Sequence, residues 1–169
     1  MKNLTILSLF LLSLVSLNSI AQDKKLAKKE VPEFINSFLQ KNYPEAKDIH
    51  FYSEMVNQQK LIEAEFKFKK IKYSLLFDNE KLIETETHIS FNELDSLTQK
   101  MIRSHLDSNI HKYRIEECNL IHTTNGKFIE VEIETREKEE VIEKEYTFNE
   151  KGEVVNYKIV DFHPITTPY

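Results

Sequence analysis

Two stretches of the chain carry apolar residues at helical spacing, and each is followed by four stretches in which apolar and polar residues alternate. In the first, Val31, Phe34, Ile35, Phe38, Leu39 and Tyr43 fall on one helix face. Pro32 suits a first helical turn and Pro44 ends the element. Further along, Leu94, Leu97, Met101, Ile102 and Leu106 repeat that spacing with Thr98 in place of Ile35, which predicts a second helix from Glu93 to Asp107. The alternating stretches predict strands at Ile49–Val56, Leu61–Phe68, Ile71–Phe77 and Leu82–His88, then at Tyr113–His122, Phe128–Thr135, Val141–Phe148 and Val154–Asp161. Ile62, Ala64, Phe66 and Phe68 share one face, as do Ile129, Val131 and Ile133. Polar tight connections at Asp78–Lys81 and Asn149–Gly152, with Thr124-Asn125-Gly126 between strands, fit hairpins.

The expected fold class is therefore α+β: two tandem repeats, each one helix packed on a four-stranded antiparallel sheet. Repeat 1 is expected at residues 31–89, repeat 2 at 90–163, and a C-terminal tail at 164–169. Units this small are marginal alone, so they are expected to pack together, with one sheet able to extend into the next.

The N-terminus is written differently. Leu4 to Ile20 is an uncharged apolar run preceded by Lys2, and Ser19 and Ala21 supply small residues before Gln22. This is the layout of a signal peptide over residues 1–21, too short in its apolar run for a comfortable membrane span. No cysteine follows the run, which excludes lipoprotein processing. Lysines 24, 25, 28 and 29 then make residues 22–30 a basic leader without apolar period, expected to be mobile. The chain is expected to be periplasmic or secreted, with no membrane span after cleavage.

Composition removes several classes of function. The 169 residues include two glycines, one cysteine and no tryptophan, so a glycine-rich phosphate loop, a disulfide framework and a thiolate metal cage are excluded. A formal charge of −5 argues against nucleic acid as partner. Cys118 reads as a small core residue, with an intermolecular disulfide as the alternative. No nucleophile elbow is present, and His50, His88, His105, His111, His122 and His163 stand singly, with no HxH or HExxH pair. A metal site assembled across strands from His50, His88 and His122 stays open at this stage. No catalytic residue and no cofactor is expected.

Charge supplies the candidate surface. Lys60, Lys67, Lys69, Lys70 and Lys72 face only Glu63 and Glu65 in the middle hairpin of the first half, whereas Ile129 to Glu145 holds eight glutamates against Arg136, Lys138 and Lys144. With Ile129, Val131 and Ile133 turned to the core, Glu130, Glu132 and Glu134 stand in a row on the other face. That row is either a solubilising surface that also discourages edge pairing or a docking surface for a basic partner. Glu130, Glu132, Glu134, Lys67, Lys69 and Lys70 are the candidate binding residues, and the lysines of another copy are one candidate partner.

The segments VPEFINSFLQKNYPEAKDIHFY, FDNEKLIE and FNEKGEVVNYKI resemble the PepSY-like family of periplasmic proteins, also described as beta-lactamase-inhibitor-like. Phe51 stands where that family often has Trp, and Phe91-Asn92-Glu93-Leu94 lacks its proline. The resemblance implies secretion, two tandem helix-plus-sheet copies and protein binding or inhibition; it carries over no catalytic residue. The function expected is thus an exported non-enzymatic module that recognises an envelope protein or peptide through its sheet surface, as inhibitor or regulator. The alternatives are a small-ligand or metal carrier with a pocket between the repeats, and an envelope structural protein. The intact mass of protein from the envelope fraction is expected to correspond to cleavage between Ala21 and Gln22; a mass that retains residues 1–21 would show an uncleaved anchor.

Overall fold

Asp95 starts the longer helix: its carboxylate accepts the backbone N–H groups of Leu97 and Thr98, each at 3.0 Å, and so satisfies donors that a first turn leaves free. In the computed structural model, which describes residues 24–164 apart from Asn57, Lys138 and Glu139, this helix α2 spans Ser96–Asn109. The earlier helix α1 spans Glu33–Asn42, entered through Pro32 and closed where the Tyr43 N–H meets the Leu39 carbonyl at 2.7 Å. Nine strands complete the described chain: β1 Lys24–Leu26, β2 Lys47–Val56, β3 Gln59–Phe68, β4 Ile71–Asp78, β5 Lys81–His88, β6 Tyr113–Thr123, β7 Gly126–Glu137, β8 Glu140–Asn149 and β9 Val154–Pro164. The signal-peptide segment 1–21 and residues 165–169 of the expected tail lie outside the described residues.

The expected fold class is corrected here. Two repeats of a helix on a separate four-stranded sheet do not form; a single nine-stranded antiparallel sheet does, in the order β1 to β9, with only two helices among the described residues, so the protein is mostly β. The joint is β5 against β6, where Glu84–His88 pairs with Asn119–Thr123. Separate sheets would expose two further strand edges with unpaired backbone groups, and joining them removes both. The leader is corrected as well: Lys24–Leu26 pairs with Phe51–Ser53, and Leu26 is buried. A three-residue strand is too short to show a period, which is why sequence pattern missed it.

Register places both helices on one face. A single cross-strand row runs from Tyr73 through Thr87, Leu120 and Ile129 to Phe148, joining residues packed under α1 to residues packed under α2. Under α1, Ile35 and Leu39 pack in one cluster with Phe66, Leu75 and Phe77, and the rings of Phe34 and Phe38 meet Phe77 edge to face with centres 5.6 Å apart. Under α2, Ile102 and Leu106 meet Val131, Ile133 and Phe148, with the His105 ring 5.8 Å from Tyr146 and from Phe148. Thr85 and Thr87 occupy the covered face of β5, so two apolar clusters form instead of one. Gly152, in the β8–β9 turn at φ +71°, lies against α2 so closely that a Cβ there would sit 2.8 Å from Met101.

One helix assignment also changes. Phe91–Glu93 forms a 3-10 turn of its own, and α2 begins at Ser96 instead of Glu93. Leu94 is buried by that turn, while Leu97 is 65% exposed. Leu97 stands nine residues before Leu106, which at 100° per residue puts it on the opposite side of the helix. In urea denaturation, Leu106→Ala is expected to cost about 2–5 kcal/mol, as for a fully buried leucine. Leu97→Ala should stay within about 0.5 kcal/mol. Equal effects at the two positions would contradict this placement.

Candidate functional site

The face opposite the helices is covered by no described element, and its polar residues come from alternate positions of successive strands. One cross-strand row holds Glu65, Ser74, Glu86, Ile121 and Phe128. The next holds His88, Asn119, Glu130, Thr147 and Asn156. A third sets Glu117, Glu132 and Glu145 directly opposite one another, and Lys158 on β9 closes it. Like charges placed directly opposite on a sheet destabilise it, so this third row is unfavourable for the fold by itself.

The row is tied together by polar contacts. Lys158 reaches the Glu145 carboxylate at 2.7 Å. Glu130 shares a hydrogen bond with Glu145 and accepts one from the Asn119 amide at 3.4 Å. The Asn119 oxygen in turn lies 3.2 Å from His88 Nδ1, and Ser74 Oγ donates to Glu63 at 2.5 Å. Glu63, Ser74, Glu86, His88, Glu117 and Asn119 line a polar depression of about 170 Å³ that runs across the sheet from β3 to β6. Clefts for drug-sized ligands run to roughly 300–1,000 Å³.

Crowding changes the chemistry of these carboxyls. Burial, then the hydrogen bond and charge of Glu145 and the charge of Glu86, push Glu130 up to about 8. Burial followed by the charges of Glu84 and Glu63 pushes Glu86 up to about 7. Glu84 rises through burial and the charges of Glu63 and Glu54, and Glu132 through burial and those of Glu117 and Glu143. Burial works against the Lys158 ammonium, yet the hydrogen bond and charge of Glu145, with Glu130 and Glu86 beyond, raise it. The face therefore holds protons at neutral pH that isolated carboxylates would have lost.

The six sequence candidates fare unequally. Glu130, Glu132 and Glu134 do lie on the uncovered face, in three different environments: Glu130 in the shared-proton group, Glu132 among like charges, and Glu134 beside Arg114 Nη2 at 3.3 Å. Lys67 bonds Asp48 at 3.1 Å. Lys69 and Lys70 form the β3–β4 turn at φ +52° and +71°, with the Lys69 ammonium 5.1 Å from the Phe68 ring centre. Strands β4, β5 and β6 separate these lysines from the glutamate row, so one molecule does not bring the two groups together. Glu84, Glu86, Glu117 and Asn119 were missed. The alternation in Leu82–His88 sets Glu84 and Glu86 on one face, but their neighbours depend on the β5–β6 pairing.

The histidine trio does not assemble: His88 pairs with Asn119 on the uncovered face, whereas His122 pairs with Thr85 on the covered one. Among the described residues no group of three or more His, Cys, Asp or Glu side chains is arranged to hold a metal ion. Cys118 is a free, buried thiol, pushed up to about 12 by burial and then by the charges of Glu130 and Glu93. It is a small core residue, as expected of buried free cysteine.

Carboxyls whose folded pKa is raised stabilise the fold fully below their unfolded value, near 4.5, and lose that contribution as pH rises through about 7 and 8. Thermal stability is therefore expected to fall between pH 5 and pH 9. Glu130→Gln should raise the melting midpoint at pH 9 by about 4 °C, change it little at pH 5, and so flatten the profile. An unchanged slope would show that Glu130 is solvated.

No family model matches the chain, and no curated protein is similar to it. Solved structures share its fold. A DUF2874 family protein from Bacteroides ovatus superposes with a TM-score of 0.60 at 14% identity, covering 76% of this chain and 87% of that one. A BLIP-like protein from Bacteroides fragilis gives 0.57 at 19% identity, over 82% of this chain and 92% of that one. A protein from Bacteroides eggerthii described as a candidate periplasmic protein gives 0.61 at 14% identity, over 77% and 89%. The chain thus has the fold seen in BLIP-like and DUF2874 proteins of Bacteroides.

Proposed function

We propose that the chain is an exported, non-enzymatic binding module that recognises a protein or peptide through the uncovered face of its sheet, as an inhibitor or regulator. The observation that supports this best is the directly opposed row Glu117–Glu132–Glu145, flanked by Glu86 and Glu130. An arrangement that costs the fold stability, on the face no helix covers, is where a function is to be sought. Its charge selects a basic partner, with Glu130, Glu132 and Glu134 at the centre and the exposed turn lysines Lys69 and Lys70 as a second contact region. The fold shared with a BLIP-like protein supports protein binding by analogy. The apolar N-terminal run and the fold shared with a candidate periplasmic protein support a periplasmic or secreted location. No described helix is long and apolar enough to cross a membrane.

Immobilised mature protein should capture a basic envelope protein or peptide. Changing Glu130, Glu132 and Glu134 together to Gln should slow association, by an amount that shrinks as salt is raised, because exposed charges are screened over about 8 Å at physiological ionic strength. Unchanged capture at low salt would move the binding site to another surface. Lys69→Glu with Lys70→Glu, followed by sedimentation at low salt, asks whether the partner is a second copy.

A further inference from the structure

The opposite edge of the sheet carries a different surface. Strand β2 is ten residues long, but β1 pairs only with its Phe51–Ser53 segment. The Lys47–His50 stretch, which bulges against β3 with Asp48 at φ +54°, has no strand on its other side among the described residues, so the outward N–H and C=O groups it keeps form an open edge. Beside it, between β2 and the C-terminal half of α1, runs a groove of about 630 Å³. Its floor is apolar: Leu26, Leu39 and Phe51 are buried there, with Tyr43 half-buried at one end. Its rim is basic, since Lys25, Lys28 and Lys47 are exposed around it and His50 stands at the edge. The one carboxylate lining it, Asp48, is held by Lys67 at 3.1 Å.

We infer that the free edge of β2 at Lys47–His50, with the groove it forms against α1, takes up an extended acidic peptide by strand addition. Backbone pairing continues the line of β1, alternate apolar side chains enter the groove, and carboxylates on the remaining positions meet the three lysines. The occupant is fixed by charge complementarity: the rim offers three lysine ammoniums and no unengaged carboxylate. The other edge of the sheet is less suited. Strand β9 has no such groove with a basic rim beside it among the described cavities, and exposes Val155, Tyr157, Ile159 and Val160 instead.

The test uses a fluorescein-labelled Glu-Phe-Glu-Val-Glu peptide and its Lys-Phe-Lys-Val-Lys counterpart, with anisotropy read at low and high salt on the mature protein. The acidic probe is expected to bind at least about 10-fold more tightly than the basic one, with a margin that narrows in salt. Amide exchange should slow at Lys47–His50 when the acidic probe is present. Combining Lys25→Glu, Lys28→Glu and Lys47→Glu should abolish the preference while circular dichroism stays unchanged. Equal binding of the two probes, no binding of either, or protection confined to β9 would overturn the inference. So would a concentration-dependent dimer that protects Lys47–His50 without peptide, since the occupant would then be a second copy. Exchange on the unmodified protein keeps the test decisive even where the triple variant does not fold.

Discussion

Five residue pairs between β5 and β6 hold the architecture together. On either side of that seam, a helix lies over its own apolar cluster, and neither cluster reaches the other because β5 presents Thr85 and Thr87 to the covered face. The halves are thus joined chiefly by backbone pairing. Hydrogen bonds of a ladder contribute modestly each, but an unpaired buried group is costly, so a seam that satisfies them all is favoured over two open edges. The chain between the seam strands is the 3-10 turn and α2, so the helix that covers the second cluster also sets how β6 arrives beside β5.

The same seam extends the acidic face from the second half onto β5. Glu117 and Asn119 meet Glu132 and Glu130 through the β6–β7 hairpin, and only the β5–β6 pairing brings Glu86 within reach of Glu130 and Glu145. Leu76, Ile121 and Phe128 share that face and take water away from the carboxyls beside them, which is why burial is the leading cause of every upward shift there. A row of this kind holds fewer charges than its formula suggests, and a cationic partner would restore them by displacing protons. Lys158 is the only ammonium hydrogen-bonded to the centre of the row among the described contacts.

The two sheet edges differ in the same physical terms. At β9 the chain carries exposed Val155, Tyr157, Ile159 and Val160, and its two register breaks interrupt the run of backbone groups. At β2 a three-residue strand covers part of the edge and leaves the rest beside an apolar floor with a basic rim. Both edges are bulged, and the edge at β2 differs in selecting by charge.

By itself the sequence determined the local elements. The period-two alternation placed eight strands within a few residues, Pro32 and Pro44 framed α1, and the inward sets Ile62–Ala64–Phe66 and Ile129–Val131–Ile133 are buried as their pattern requires. Those features depend on which face of a strand or helix a residue takes, and that is fixed by spacing alone. Tertiary structure decided what spacing does not encode: that one sheet forms instead of two, that Leu26 of the leader joins it, that Leu97 faces solvent, and that Glu130 meets Glu145 and Glu86. Strand pairing is chosen by the satisfaction of edges far apart in the chain. A carboxyl's protonation is likewise set by neighbours that only the pairing supplies, so the glutamate row was legible as a row but not as a proton-sharing group.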